Sequence, residues 1–185
     1  SNSIALFIKS DTNEILGQLT RNSDFDVGQS QRDAWIEQIN ILQNILSDYS
    51  GSIYFEYSIP RMGKRIDVVV ITGSVIFVIE FKVGDKEFST SALDQVLDYV
   101  LDLKNFHSTS HNHFIAPILV ATNAKSVNPI ISLTPQSDKV FFPIKTNSEM
   151  LKSAIDNTLA LADIDFINVG EWEKGRYHPT PTIVE

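Results

Sequence analysis

Two charged residues end an otherwise apolar segment, SVIFVIEFKV, at residues 74–83. Alternate side chains of a strand share a face, so Glu80 and Lys82 lie on the same face as Ile76 and Val78. Burying a charge there is costly unless the charge is paired, hydrogen-bonded or bound to a metal. The sequence therefore predicts that a partner or a ligand meets these two side chains at the end of the strand.

A second carboxylate is predicted opposite Glu80. The stretch RIDVVVITGSVIFVIEFK reads as two strands joined by a tight turn with Gly73 and Ser74 at its centre, and glycine in the first position is typical of a type II′ turn. Counting outward from this turn places Asp67 opposite Glu80, whereas a loop one residue longer would place it diagonally. Opposed carboxylates repel each other and favour a divalent cation or a shared proton between them.

A helix is predicted directly after the Glu-x-Lys strand, from Ser89 to Phe106. Its apolar residues recur at intervals of three and four, as in a helix that buries one side. Gln95 and Tyr99 are four residues apart, so both lie on one flank of this helix. Alone, they would be an ordinary polar flank.

Asp67, the Glu-x-Lys pattern and the Gln-x-x-x-Tyr helix together resemble the PD-(D/E)xK nuclease superfamily, in particular its RecB-like branch. Ile66 replaces the proline of the family pattern, which leaves the acidic ligand unchanged. The segments VIEFKVGDKEF, ALDQVLDYVLDLKNFH and PILVATNA are similar to the nuclease-like region that precedes the motor of bacterial proteins with a Schlafen-related DNA/RNA helicase domain. This likeness covers residues 53–124.

The resemblance implies a divalent cation site. Asp67, Glu80 and the backbone carbonyl of Phe81 would supply hard oxygen ligands for Mg²⁺ or Mn²⁺, which polarises a phosphoryl oxygen and lowers the pKa of a bound water. Lys82 would steer that water and stabilise the charge that develops during attack. Glu56, on the preceding strand, would be a further ligand or act through a water.

The resemblance also implies the partners. DNA is the expected substrate, with RNA as the alternative, and Gln95 and Tyr99 would anchor the nucleic-acid strand or brace Lys82. A helicase region of the same full-length protein is the expected partner domain. The 185 residues contain no Walker phosphate-binding loop, so we expect them to be one excised domain.

The rest of the chain supplies the elements that position these residues. It predicts an α/β fold with a mixed central sheet flanked by helices, and the resemblance implies that this sheet is restriction-endonuclease-like. The expected helices are 11–21, 30–46, 89–106 and 148–161, and the expected strands are 53–59, 65–71, 74–83, 114–122 and a short 139–144. Residues 1–165 would form the nuclease-like domain. Residues 166–185, with two Pro-Thr steps and no periodicity, would form an extended tail or linker toward an absent C-terminal region.

Composition limits the classes of function. With 43% hydrophobic residues and no apolar run long enough for a membrane span, the chain is typical of a globular protein without a membrane partner. The absence of cysteine excludes disulfides and suits the cytoplasm. A net charge of -8 argues against a broadly basic nucleic-acid surface. A basic cluster lies beside the predicted site and consists of Arg61, Lys64 and Arg65. These side chains would either bind phosphate or simply be solvated, and the sequence does not favour one role over the other.

Two alternatives to catalysis stay open. Asp67, Glu80 and Lys82 would be structural if they formed ion pairs, with Asp67 bound to Arg65 or Lys64. A nuclease-like fold would also serve as a nucleic-acid or protein binding module without cleaving anything. Cation-independent binding would favour the module.

The loop HSTSHNH holds three histidines, at positions 107, 111 and 113. Clustered imidazoles are common metal ligands. Because serine, threonine and asparagine surround them, a solvated turn is favoured over a second metal site.

Overall fold

The computed structural model describes residues 2–23, 26–60 and 63–178. Within these ranges the strands are β1 (Asn2–Ser3), β2 (Ser52–Ile59), β3 (Lys64–Thr72), β4 (Val75–Lys82), β5 (Phe114–Ala121) and β6 (Ile144–Thr146). The helices are α1 (Ile4–Lys9), α2 (Thr12–Arg21), α3 (Gln29–Ile45), α4 (Thr90–Phe106), α5 (Leu151–Leu161) and α6 (Val169–Trp172). The four predicted helices are confirmed to within a few residues at each end.

The strands form a single mixed sheet in the order β1-β2-β3-β4-β5-β6. The first four strands are antiparallel neighbours, whereas β4, β5 and β6 run parallel to one another. Helix α4 lies between β4 and β5 in the chain, as the crossover that parallel neighbours need. The predicted mixed central sheet flanked by helices is thereby confirmed.

Helices cover both faces of this sheet. Ile39 and Leu42 of α3 and Ile155 of α5 pack on one face, together with residues of α1 and α2. Val96 and Val100 of α4 pack on the other face. Successive residues of β4 alternate between these two cores, and each buried side chain contributes roughly 1.5–3 kcal/mol. Strand β4 is therefore apolar nearly throughout, and a charge in it needs a specific partner.

The turn between β3 and β4 has the predicted geometry. Gly73 has a φ of 56°, in the left-handed region that glycine adopts without strain, as the first position of a type II′ turn requires. The ladder starts with Thr72 opposite Val75 and keeps the predicted register over five pairs. Asp67 and Glu80 occupy the next positions beyond its last pair.

The last edge strand lies later than predicted. Val140 and Phe141 form only isolated bridges, and β6 starts at Ile144. Pro143 explains the shift, because proline has no N–H to donate to a ladder. The strand predicted at 139–144 is therefore placed too early.

The segment after residue 165 differs from the extended tail that the sequence predicts. Ile167 and Trp172 are buried in the core beneath α4, and Trp172 is only 1% exposed. The backbone N–H of His178 donates to the carbonyl of Phe106 at 2.9 Å. The packed domain thus continues to residue 178, and the remaining part of the predicted tail, residues 179–185, lies outside the described residues.

The histidine loop is not a solvated turn throughout. His107 and Ser110 are buried, and His107 Nδ1 lies 2.7 Å from Ser110 Oγ. Trp172 donates its indole N–H to the same hydroxyl at 2.9 Å. Burial lowers the pKa of His107 to about 4, so this imidazole is neutral at physiological pH. The prediction is wrong at these two positions because α6 covers them.

No helix within the described ranges has both the length and the apolarity that crossing a membrane requires.

Candidate active site

The predicted acidic pair lies where the β3–β4 ladder ends. Glu80 is 4% exposed and Asp67 is partly buried. The Oδ2 atom of Asp67 accepts a hydrogen bond from the backbone N–H of Phe81 at 2.9 Å. This bond fixes the Asp67 carboxylate against β4, directly beside the position of Glu80.

Glu80 has only part of its hydrogen-bonding capacity satisfied. Its Oε1 accepts a hydrogen bond from Lys82 Nζ at 2.9 Å. Its Oε2 is buried and has no hydrogen-bond partner within the described part of the chain. Leaving a buried acceptor unsatisfied costs about 1–3 kcal/mol, and more when the group is charged. A cation or a proton at this oxygen would remove that cost.

The pKa values of Asp67 and Glu80 also favour a cation or a proton at this pair. Burial raises the pKa of Asp67, and the charges of Glu80 and Glu56 raise it further. Burial also raises the pKa of Glu80, although its hydrogen bond from Lys82 and a hydrogen bond from Asp67, when Asp67 is protonated, work in the opposite direction. Two carboxylates that resist ionisation side by side would both be stabilised by one divalent cation.

Lys82 is held in place by two acceptors. Besides Glu80, its Nζ donates to Gln95 Oε1 at 3.4 Å, and Gln95 Nε2 donates to the Tyr99 hydroxyl at 2.7 Å. Burial acts to lower the pKa of Lys82, but the hydrogen bond to Glu80 and the charges of the two carboxylates outweigh it and raise the pKa. The structure thus brings the predicted helix residues to Lys82, which remains a cation at neutral pH.

Glu56 lies on the far side of Asp67 from Glu80. In the β2–β3 ladder, Phe55 is opposite Val68 and Tyr57 is opposite Ile66, with no pair between them. This register places Glu56 across from Asp67. Carboxylates therefore occupy corresponding positions on three adjacent strands. The sequence does not indicate the donor that holds Glu56, which is the indole N–H of Trp35, 2.9 Å from Glu56 Oε1.

These donors fit a divalent cation with few protein ligands. Within the described residues, no group of three His, Asp or Glu side chains is arranged to enclose a metal ion. Asp67 and Glu80 are the carboxylates that would hold one, and the backbone carbonyl of Phe81, between Glu80 and Lys82 in the chain, would be a third donor. Mg²⁺ commonly binds through one or two carboxylates and keeps several waters, so this donor set suits it.

The basic cluster is only partly available to a substrate. Lys64 Nζ is 3.2 Å from Asp102 Oδ2, in an ion pair that anchors β3 to α4. Lys64, one of the two partners that the structural alternative offered for Asp67, is therefore paired elsewhere. Arg61 lies outside the described residues.

An open groove of about 420 Å³ runs beside α4, next to the site. It is lined by Lys64, Ser91, Asp94, Gln95, Asp98 and Tyr99. Gln95 and Tyr99 line this groove and also belong to the Lys82 network, so the groove adjoins the site through these two side chains.

A comparison of the sequence with known family models and with curated proteins gave no match.

Proposed function

We propose that this domain hydrolyses phosphodiester bonds of nucleic acid with a divalent cation, DNA being the expected substrate and RNA the alternative. The observation that carries the proposal is the buried, unpartnered Oε2 of Glu80, beside a second carboxylate and on the same strand as Lys82. The ion pair with Lys82 uses only Oε1 of Glu80. Here one oxygen remains for a ligand.

Each residue has a role that its surroundings support. Asp67 and Glu80, with the carbonyl of Phe81, would hold Mg²⁺ or Mn²⁺. When bound, that cation would polarise a phosphoryl oxygen and lower the pKa of a coordinated water. The hydrogen bond from the N–H of Phe81, which holds the Asp67 carboxylate against β4, supports this role.

Lys82 would act through its charge. Since its pKa is raised, Lys82 is protonated at neutral pH and cannot serve as a general base there. Its ammonium would instead position the attacking water and stabilise the negative charge of the transition state. Gln95 and Tyr99 would keep that ammonium aimed at the substrate by limiting its rotation.

The groove beside α4 would admit the nucleic-acid strand. Asp94 and Asp98 at its rim would repel phosphates, so the strand is expected to enter with its backbone toward Lys82 and not toward α4. We also propose that the protein works in the cytoplasm and that a helicase region of the full-length protein delivers the strand.

A direct test is to incubate the purified protein with single- and double-stranded DNA and RNA carrying a 5′ label, in Mg²⁺, Mn²⁺ or EDTA. Cleavage of at least one substrate is expected with a divalent cation, and none in EDTA. Binding without cleavage under all these conditions would contradict the proposal and would favour a nuclease-like binding module.

A further inference from the structure

Glu56 has an unusual backbone conformation for a strand residue. Its φ is 50°, in the left-handed region that side chains with a Cβ rarely adopt. Phe55 packs against the core formed by α3, whereas Tyr57 packs against the core under α4. Residues 55 and 57 of a regular strand would share a face, so the chain changes faces at Glu56.

The same change occurs on the neighbouring strand. Ile66 belongs to the core under α4 and Val68 to the opposite core, so β3 changes faces at Asp67. The ladder between β2 and β3 has its gap at these two residues. Unusual backbone conformations of this kind persist where the surroundings impose them, and they concentrate at functional sites.

Trp35 is the group that fixes the Glu56 carboxylate. It is 3% exposed on α3, and its Nε1 donates to Glu56 Oε1 at 2.9 Å. A buried indole N–H needs an acceptor, and a backbone carbonyl would serve as well. Here the acceptor is a carboxylate. Burial is the largest cause that raises the pKa of Asp67 and of Glu80, and the charge of Glu56 raises both further.

We propose that Trp35 is a positioning residue of the metal centre: its indole N–H holds Glu56 beside Asp67, where the third carboxylate strengthens cation binding through a water. This inference rests on the proposed function. Because Glu56 Oε1 already accepts the Trp35 indole N–H, we place Glu56 behind a water and not among the direct ligands. Hydrogen bonds that orient a metal centre from behind its ligands change metal affinity by about 10–100-fold.

Trp35→Phe removes the N–H donor and keeps a large aromatic ring in the core. Calorimetric titration with Mn²⁺ is expected to show about tenfold weaker binding than in the wild type. The chain has two tryptophans, so an unchanged indole N–H signal from Trp172 in the NMR spectrum would show that the fold is intact. Glu56→Gln keeps an acceptor oxygen for Trp35 but removes the charge, and it should weaken Mn²⁺ binding to a similar degree.

The double variant separates positioning from packing. If Trp35 acts through Glu56, adding Trp35→Phe to Glu56→Gln should weaken Mn²⁺ binding no further. Two results would overturn the role of Trp35 and leave the proposed function standing. One is equal Mn²⁺ affinity in the wild type and Trp35→Phe. The other is that Trp35→Phe weakens Mn²⁺ binding equally in the wild-type protein and in Glu56→Gln. A wild-type protein that binds no Mn²⁺ would overturn both.

Discussion

Ionised Asp67 lies close to two other carboxylates in a partly buried position, which is unfavourable for folding without a cation. The folded-state pKa is raised by burial and by Glu80 and Glu56, whereas in the unfolded chain the pKa of an aspartate is about 3.9. A raised folded-state pKa means that the folded protein binds more protons, so its stability decreases as pH rises through that pKa. Above that pKa the acidic pair thus lowers stability, and a bound cation would offset this loss.

Asp67→Asn should therefore stabilise the protein at pH 8 in EDTA, by about 1–2 kcal/mol, because it removes the charge and keeps an acceptor for the Phe81 N–H. The gain should shrink as pH falls, because the wild-type Asp67 then takes up a proton. Urea unfolding at pH 8 and pH 5 measures both values. A variant less stable than the wild type at pH 8 would contradict the electrostatic account.

Lys82→Met should separate the structural from the chemical role of Lys82. In EDTA it should lower the free energy of unfolding by about 1–3 kcal/mol, because buried Glu80 loses its donor. Mg²⁺ should restore part of that loss, yet cleavage should fall about 10²-fold, the scale expected for losing one electrostatic stabiliser of a transition state.

Lys145→Met is the matched control for this variant, because Lys145 is exposed in β6. It should change neither stability nor cleavage. If Lys82→Met destabilises the protein but cuts at the wild-type rate per folded molecule, Lys82 only holds the strand.

The sequence predicts part of this site because part of it is local. Asp67, Glu80 and Lys82 belong to one hairpin whose turn and alternation are visible in the chain. The left-handed conformation of Glu56 and its bond from Trp35 depend on how α3 packs on the sheet, and no local pattern encodes that packing. The one available indication was that a buried indole N–H needs an acceptor.

At the level of elements, long periodic segments were predictable and short ones were not. Helix α4 has 17 residues, enough to show its apolar stripe. Helix α1 has six residues and β1 has two. Both are held by distant parts of the chain, since α1 packs in the core and β1 pairs with β2. Helix α6, with four residues, was missed for the same reason.

The docking of the segment after residue 165 leads to a paired test. Trp172→Ala should cost about 3–5 kcal/mol of unfolding free energy, because Trp172 is 1% exposed in the core under α4. Phe166→Ala, at a position that is 80% exposed in the same segment, should change stability by no more than about 0.5 kcal/mol. Urea unfolding of both variants measures the difference, and equal effects would show that the segment does not pack as described.

For the whole molecule, charge limits how tightly nucleic acid would be bound. The chain carries 23 acidic and 15 basic residues, and Lys64, beside the groove, is already paired with Asp102. Non-specific affinity comes mainly from basic side chains that neutralise phosphates. Under the proposed function, the domain would therefore need a cation, or a further region of the protein, to hold a polyanion.

We predict weak binding of nucleic acid by this chain alone, with a Kd of about 10⁻⁴–10⁻⁶ M, as for non-specific contacts. Few phosphate contacts also predict a shallow dependence of affinity on salt concentration. Fluorescence anisotropy with a labelled 20-nucleotide strand in Ca²⁺, at several salt concentrations, measures both quantities. Nanomolar, salt-resistant binding would show a recognition surface that this account lacks.

The central claim is that the Asp67–Glu80 pair makes this domain a cation-dependent nuclease, and the rate of cleavage by Glu80→Gln tests it most directly. The amide keeps the size of the side chain and an acceptor for Lys82 but removes the charge that would hold the cation. On the preferred substrate in Mg²⁺, the rate per folded molecule should fall at least about 10²-fold below that of the wild type. Cleavage by Glu80→Gln at the wild-type rate, or wild-type cleavage that persists in EDTA, would contradict the claim.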